Sequence, residues 1–370
     1  MTLIKVNNRG QQDNLGRRNL MINGDMRIAQ RGHTKTGLTG AGYHTVDRVH
    51  FAVNSAGTWT VSREADAPAG SGLVYSHKAQ CTTADTSLSG AEYVLFQQRI
   101  EGQNLQHLEW NTSATKKVTL SFWFKTSKTG TYTCELLQPG SGTSVFNGQQ
   151  ITVSSANTWT KYELTYDGQP SSIGGAIPNS AGIGLYLLIW YAAGTTYSSG
   201  TFNSNTWHST SANRAAGNTN GADSTSNNFY ITGLQLEVGE TASDFEHLTY
   251  SEQLSLCHRY YWTSYTDGAA AQNAGSTSDG NSNTLYWVKD GTNSYATFGT
   301  TTFPTRMRAN PSANIYNATS GSVNSATRDG TNFTAQVYFS RSHTMAGGHG
   351  GVSVGNAQGI HYHMTADSEL

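Results

Sequence analysis

The sequence predicts an all-β protein: an N-terminal arm, a jelly-roll-like β-sandwich, a short connecting helix and a smaller C-terminal β-domain. Three observations lead there. Only 13% of the 370 residues are charged, while glycine supplies 40 and the aromatics comprise 8 Trp, 19 Tyr and 12 Phe. Disordered chains are aromatic-poor and highly charged, so this chain folds, and rings set among Gly, Ser, Thr and Asn indicate short strands joined by many turns. Period-2 alternation recurs in short segments, whereas helical periodicity is convincing only once. No fixed-period repeat is present, which argues against a β-helix or a propeller.

Each element follows in order. Residues 1–18 carry a small apolar patch, Leu3, Ile4 and Val6, and end in the basic pair Arg17–Arg18. This piece is too short to fold alone and reads as an arm that adds to a partner's sheet edge. Residues 19–248 alternate strand and turn. Thr58–Ser62, Val118–Phe124, Thr131–Leu137, Trp159–Tyr166, Gly184–Trp190 and Phe229–Glu237 all read as strands. In Val118–Phe124, Val118, Leu120, Phe122 and Phe124 share one face and Trp123 takes the other. Many short strands with polar turns argue for a two-sheet sandwich or jelly roll.

Residues 249–261 hold the helix. Leu254, Cys257 and Tyr261 fall at i, i+3 and i+7, Thr249 and Ser251 can cap it, and Glu252 lies in its first turn. Residues 262–370 form the smaller β-unit, with strands expected at Asn283–Val288, Ser294–Phe298, Thr334–Phe339 and Gly351–Val354. The loop Asp267–Ser282, almost wholly small and polar, reads as exposed.

Charge and cysteine usage exclude several classes. A net charge of -1 without a long basic run lacks the electrostatic footprint of nucleic-acid binding. Cys81, Cys134 and Cys257 are few, odd in number and far apart, which fits neither a disulfide framework nor a structural zinc site and suits a reducing cytoplasm. No segment reaches the ~20 apolar residues of a membrane span. Ile183–Ala193, the longest apolar stretch, reads as a buried strand, and the N-terminus lacks the apolar centre of a signal peptide.

Three ordered blocks carry a more specific signal. The first is Arg18–Gly32, RNLMINGDMRIAQRG, followed by Tyr43–Arg48. The second is Ile100–Leu108 with Leu120–Lys125 downstream. The third is Ile231–Gly239 running through Phe245–His247 and Glu252 to Arg259–Tyr260–Tyr261. In order and spacing they are similar to tail-fibre-type structural proteins of tailed, often marine, bacteriophages, over roughly residues 1–262. One departure is the helix start, where the family commonly has a glycine and paired glutamates. The resemblance implies a virion structural protein with a carbohydrate-binding-module-like first domain. It implies docking on other virion proteins through the arm (Leu3, Ile4, Val6, Arg17, Arg18), homotrimeric assembly and attachment to a host-surface polysaccharide. It brings no catalytic residues and no cofactor. The same blocks have local readings: Asn23–Gly24 as a tight turn, Asp47 with Arg48 as an ion pair, and Arg99 with Glu101 as cross-strand partners.

Glycan binding needs rings that stack on sugar faces and polar groups for hydroxyls. Trp207, Tyr191, Trp262, Tyr265 and Trp287 are the candidates, with Trp190 beside Tyr191. The long polar stretch 197–228, which carries Trp207, is the best binding loop of the first domain. Against this, tryptophans in β-proteins more often fill the core. Of the histidines His343, His349, His361 and His363, the last two straddle Tyr362 and point the same way on a strand. Three chains meeting on a three-fold axis would there surround one metal ion with six imidazoles. The competing reading is surface histidines near a flexible terminus. An enzyme is not expected. Glu64, Asp66, Asp85, Glu92, Glu101, Glu109, Glu135 and Glu163 are scattered, with no sign of a facing carboxylate pair and no nucleophile or metalloprotease motif. A polysaccharide depolymerase and a head-fibre or connector protein without a receptor role remain the alternatives.

Overall fold

The computed structural model describes residues 17–140, 142–271, 285–289, 295–328, 331–342, 345–351 and 358–370. With 42% strand and 7% helix it is an all-β protein. Twelve strands build the first unit: β1 (Thr34–Leu38), β2 (Gly42–Tyr43), β3 (His50–Asn54), β4 (Thr58–Glu64), β5 (Ser76–Thr83), β6 (Tyr93–Glu101), β7 (Val118–Thr126), β8 (Gly130–Gln138), β9 (Val145–Val153), β10 (Thr160–Tyr166), β11 (Ile183–Ala193) and β12 (Asn228–Val238). They form two antiparallel sheets, β1-β4-β5-β12-β7-β10 and β2-β3-β6-β11-β8-β9. The inward residues of both sheets, among them Phe51, Trp59, Phe96, Phe122, Phe124, Tyr132, Leu187 and Phe229, make one core. All six strands expected in this unit are present. Those missed, such as β5 and β9, carry polar residues on both faces.

After a helical turn, α1 (Thr195–Ser198), one true helix follows the sandwich, α2 (Tyr250–His258). Thr249 caps it. Its hydroxyl accepts from the Glu252 N–H while the Glu252 carboxylate accepts from the Thr249 N–H at 2.9 Å, a reciprocal capping box. Tyr261, expected on the helical face, instead opens β13 (Tyr261–Thr263), and Tyr260 joins Cys257 in the buried cluster. The second unit continues with β14 (Leu285–Lys289), β15 (Tyr295–Thr302), β16 (Ser312–Asn317), β17 (Ser325–Arg328), β18 (Thr331–Arg341), β19 (Met345–Gly351) and β20 (Gln358–Asp367). β20 pairs with β13, β14, β16 and β17, so a segment expected to be near a flexible terminus is the hub of this sheet. Its Ile360, Tyr362, Met364 and Ala366 fill the second core with Phe303, Met307 and Ile315.

A charged junction ties the two units together. Asp47 and Arg48 do not pair with each other. Asp47 accepts from the Gln30 backbone at 3.0 Å, whereas buried Arg48 pairs with Glu369 and lies 3.5 Å over the Tyr260 ring. Arg48 takes the left-handed φ of 68°, a strain of about 1–2 kcal/mol for a residue with a Cβ, offset by these contacts. Arg31 reaches Glu369 at 3.3 Å and Asp367 at 3.1 Å. Nor do Arg99 and Glu101 pair. They share the face of β6 turned away from the core yet reach different partners: Arg99 meets the Leu370 carbonyl, while Glu101 takes a bidentate bond from Arg259, 2.7 Å on each arm, and a third from the Tyr260 hydroxyl. Arg308 donates to the carbonyls of Ala181, Ser368 and Glu369.

The three sequence blocks meet here. Leu20 and Gly24 bond to Leu236 and Leu234 of β12, and the Arg18 and Asn19 backbone N–H groups donate to the Glu246 carboxylate. Gly24 is required where it stands, because a Cβ would lie 2.1 Å from the Leu234 oxygen.

Removing one member of a buried ion pair leaves a charge without its counter-ion and costs about 3–5 kcal/mol. Glu369→Ala is therefore expected to lower the unfolding free energy by about 3 kcal/mol in urea titrations. The double replacement Arg48→Met with Glu369→Leu should lose less than Glu369→Ala alone. Equal or greater loss in the double variant would contradict this account of the junction.

Candidate functional site

The structure separates the aromatic candidates by where strand alternation points them. Tyr191 faces the core with 0% exposure and stacks on Phe229 at 4.3 Å and 7°. It is a core residue, not a surface platform. Its neighbour Trp190 points outward but is sealed. Residues 194–220 cross the outside of this sheet, placing Tyr197 5.1 Å from the Trp190 ring and the Arg214 guanidinium 4.9 Å over it. Buried Glu135 holds the cover down, accepting from Arg214 at 2.8 and 3.0 Å and from the Trp190 indole at 2.8 Å. A carboxylate taken out of water needs such partners.

The same polar stretch then docks along edge strand β9. Phe146 and His208 exchange backbone hydrogen bonds of 2.8 and 2.9 Å, and the Asn205 N–H bonds to the Gly148 oxygen. Trp207 is thereby brought against the sandwich end. Its indole N–H donates to the Asp167 carbonyl at 2.8 Å and its ring meets Trp110 edge-to-face at 5.2 Å. At 8% exposure it is a wall rather than an open stacking surface.

That wall closes one side of a cleft of about 530 Å³, lined by Asp167, Gly168, Pro170, Ser172, Ile173, Asn205, Thr206 and Trp207. The polar groups are positioned by one another. Asn205, at a left-handed φ of 49°, donates from its amide to the Asp167 carboxylate at 3.2 Å and accepts the Asp167 N–H at 2.9 Å. Lys117 pairs with the other carboxylate oxygen at 3.2 Å. The Asp167 side chain stays 52% exposed, so it has accepting capacity left for a ligand. Gly168 sits where a Cβ would crowd Thr115 and Lys116 within 2.5 Å. A carboxylate, an amide and two hydroxyls beside Pro170, Ile173 and Trp207 form a polar–apolar cleft of the kind that binds small ligands. Of the lining residues, sequence reasoning singled out Trp207 alone. The Asp167–Gly168 turn dipeptide was the other readable signal.

The remaining candidates fall elsewhere. Tyr265 is buried, stacked 4.1 Å from His363. Trp262 is half-buried against Phe303 at 5.4 Å. Trp287 lies on β14, its backbone opposite Ile360. The metal reading of His361 and His363 meets an obstacle. His363 is 1% exposed, its Nδ1 is bonded to the Ser264 hydroxyl at 3.0 Å, and burial pushes it down to about 4. The imidazole is thus closed in by Ser264 and Tyr265 rather than presented to an ion. Among the described residues no group of three His, Cys, Asp or Glu is placed to hold a metal. Leu3, Ile4 and Val6 lie outside the described residues. Arg17 and Arg18 serve this chain's own fold: Arg18 pairs with Glu237 at 3.1 Å and donates to the Asp244 carbonyl, and Arg17 lies 3.5 Å from the Leu20 carbonyl.

No protein-family model and no curated protein matches the sequence. Among solved structures, the chain is similar to the enzymatically active domain of Bacteriophage CBA120 tailspike protein 4, at 13% identity over 60% of this chain with a TM-score of 0.30. It spans 21% of that tailspike chain. A putative sugar binding protein from Bacteroides thetaiotaomicron aligns over 60% of this chain and all of its own, at 13% identity and a TM-score of 0.33. The CBM22-2 xylan-binding domain from Paenibacillus barcinonensis aligns over 51% of this chain and 91% of its own, at 12% identity and a TM-score of 0.26.

Buried histidines set the response to acid. Burial pushes His77 and His50 down to about 3 and His44, His258 and His363 to about 4. The unfolded chain takes up these protons near 6.5, so the stability they represent is complete above pH 6.5 and falls as the pH drops toward 4. Asp47, which burial raises to about 6, and Asp25, which burial also raises, work in the opposite sense at acid pH, but they are two groups against five. The urea midpoint is expected to decline from pH 7 to pH 5, with His77 contributing up to about 1.4 kcal/mol per pH unit. His77→Gln should flatten part of that slope. A midpoint that holds or rises down to pH 5 would contradict the assignment.

Proposed function

We propose that the chain is a non-catalytic subunit of a tailed-phage virion appendage that holds a host-surface glycan in the cleft between Asp167 and Trp207. The observation that carries the binding role is the composition of that cleft. Sugar hydroxyls hydrogen-bond to planar carboxylate and amide groups, and the C–H faces of a pyranose pack on apolar walls. Asp167 and Asn205 supply the first, and Pro170, Ile173 and the Trp207 edge supply the second.

The virion assignment rests on the three sequence blocks. They converge on one junction, so they read as the scaffold of a shared architecture rather than as a ligand site. By that resemblance the arm at residues 1–18 docks on other virion proteins and the subunit is a homotrimer. A binding rather than a hydrolytic role is supported by the buried carboxylates. Glu101 is clasped by Arg259, Glu135 by Arg214, and Glu237 by Arg18, Ser243 and Gln235. Each is committed to holding the fold and is not free to serve as acid or nucleophile.

The test is a glycan array of phage-host surface polysaccharides, followed by calorimetry on the strongest binder. Asp167→Ala and Asn205→Ala are each expected to weaken binding by about tenfold or more, with melting temperature little changed. Unchanged affinity in both variants would rule out the cleft. Light scattering that finds a monomer would remove the trimer.

A further inference from the structure

The outer face of the β1-β4-β5-β12-β7-β10 sheet carries a feature independent of the cleft. The strand register sets Lys125 opposite Tyr230 and Tyr230 opposite Lys78, and Trp159 precedes the Thr160–Phe124 pair. The result is a row across four strands: Trp159, Lys125, Tyr230, Lys78. The two rings lie 6.2 Å apart. The Lys125 Nζ sits 4.9 Å over the first and 4.3 Å over the second, and the Lys78 Nζ lies 5.4 Å over Tyr230. Asp66 locks one end, accepting the Trp159 indole N–H at 3.1 Å and pairing with Lys125. The next row brings half-buried Trp123 onto the same face. It lies over Gly233, whose φ of +63° and bulged register leave no room for a Cβ, which would stand 2.9 Å from Leu73 and 3.1 Å from Trp123.

The charges of this face are nearly all matched. Lys125 is neutralised by Asp66 and Lys161 by Glu163 at 2.7 Å. Among the described residues Lys78 alone in the row has no carboxylate within ion-pair distance. Three half-exposed rings held in fixed orientations, with an ammonium at the end of the row that feels Asp66 only at longer range and stands outside ion-pair distance of any described carboxylate, match a chain of sugars that carries a carboxylate. The geometry points to a second glycan site here, specific for hexuronate-containing polysaccharide, in which the rings of Trp159, Tyr230 and Trp123 contact the sugar faces and Lys78 takes the carboxylate. Trp159 and Asp167 lie beyond opposite ends of β10, roughly 25 Å apart along the strand, so the site is distinct from the cleft.

The test titrates the full chain with oligogalacturonate and a hyaluronan hexasaccharide, against maltohexaose as the neutral control, by calorimetry and tryptophan fluorescence. Binding of at least one acidic oligosaccharide is expected, weakening with added salt. Trp159→Ala should lose about tenfold in affinity and Lys78→Ala about fivefold, with Lys78→Arg restoring most of it. Asp167→Ala should leave acidic-glycan binding unchanged even where it abolishes binding in the cleft. Lys78 is a half-exposed surface residue, so its variants remain informative if Trp159→Ala does not fold. Binding of neither acidic probe, equal binding of maltohexaose, wild-type affinity in Lys78→Ala, or loss of acidic-glycan binding in Asp167→Ala would each overturn the proposal.

Discussion

The stack of Tyr191 on Phe229 is the contact on which the arrangement of this molecule depends. The two rings are nearly parallel at 4.3 Å and join β11, inside one sheet, to β12, inside the other. Phe124, Tyr132 and Trp59 close around Phe229 at 5.5–6.2 Å. Rings of this size bury about 150–250 Å² each and dominate the core they enter. Because side chains alternate along a strand, placing these rings inward decides what faces out. With Tyr191 inside, Trp190 lies outside and needs the cover of residues 194–220. With Phe229 and Phe124 inside, Tyr230, Lys125 and Trp123 are carried to the opposite surface. Both candidate ligand surfaces thus inherit their chemistry from one packing decision in the core.

The second constraint is electrostatic. At the junction Arg31, Arg48, Glu101, Arg259 and Glu369 meet among the rings of Tyr260, between α2 and β13, and Tyr261, which opens β13. Buried charge is tolerated only when each group finds a counter-ion and hydrogen bonds, so this arrangement admits few alternatives. Arg31, Arg48, Glu101 and Arg259 all come from or beside the three sequence blocks, none of which lines the cleft. They hold β12, the helix and the C-terminal sheet in register, while the cleft-lining residues come from turns such as 167–173 and 205–207. A rigid scaffold with chemistry placed on loops is the common division of labour in β-proteins.

Much of the fold was legible in the sequence. Alternation and short apolar runs between polar turns mark β4, β7, β8, β10, β11 and β12, and the Thr249–Glu252 spacing marks the helix start, since these signals act within a few residues. Legibility ended where partners come from far along the chain. Arg99 and Glu101 stand two apart yet bond to Leu370 and Arg259. β20 was missed because its His, Thr and Gly residues resemble a polar tail; only pairing with four strands makes it central.

The sequence by itself determined the fold class, the helix and the richness in rings and polar turns, because propensity, alternation and capping are local. Only the tertiary structure decided which rings are core and which are surface. In Trp190–Tyr191 both residues are aromatic, so alternation says they face opposite ways but not which way, and the answer comes from Phe229, 38 positions on in the other sheet. The cleft and the Trp159–Lys125–Tyr230–Lys78 row are likewise products of long-range strand register, which no single segment encodes.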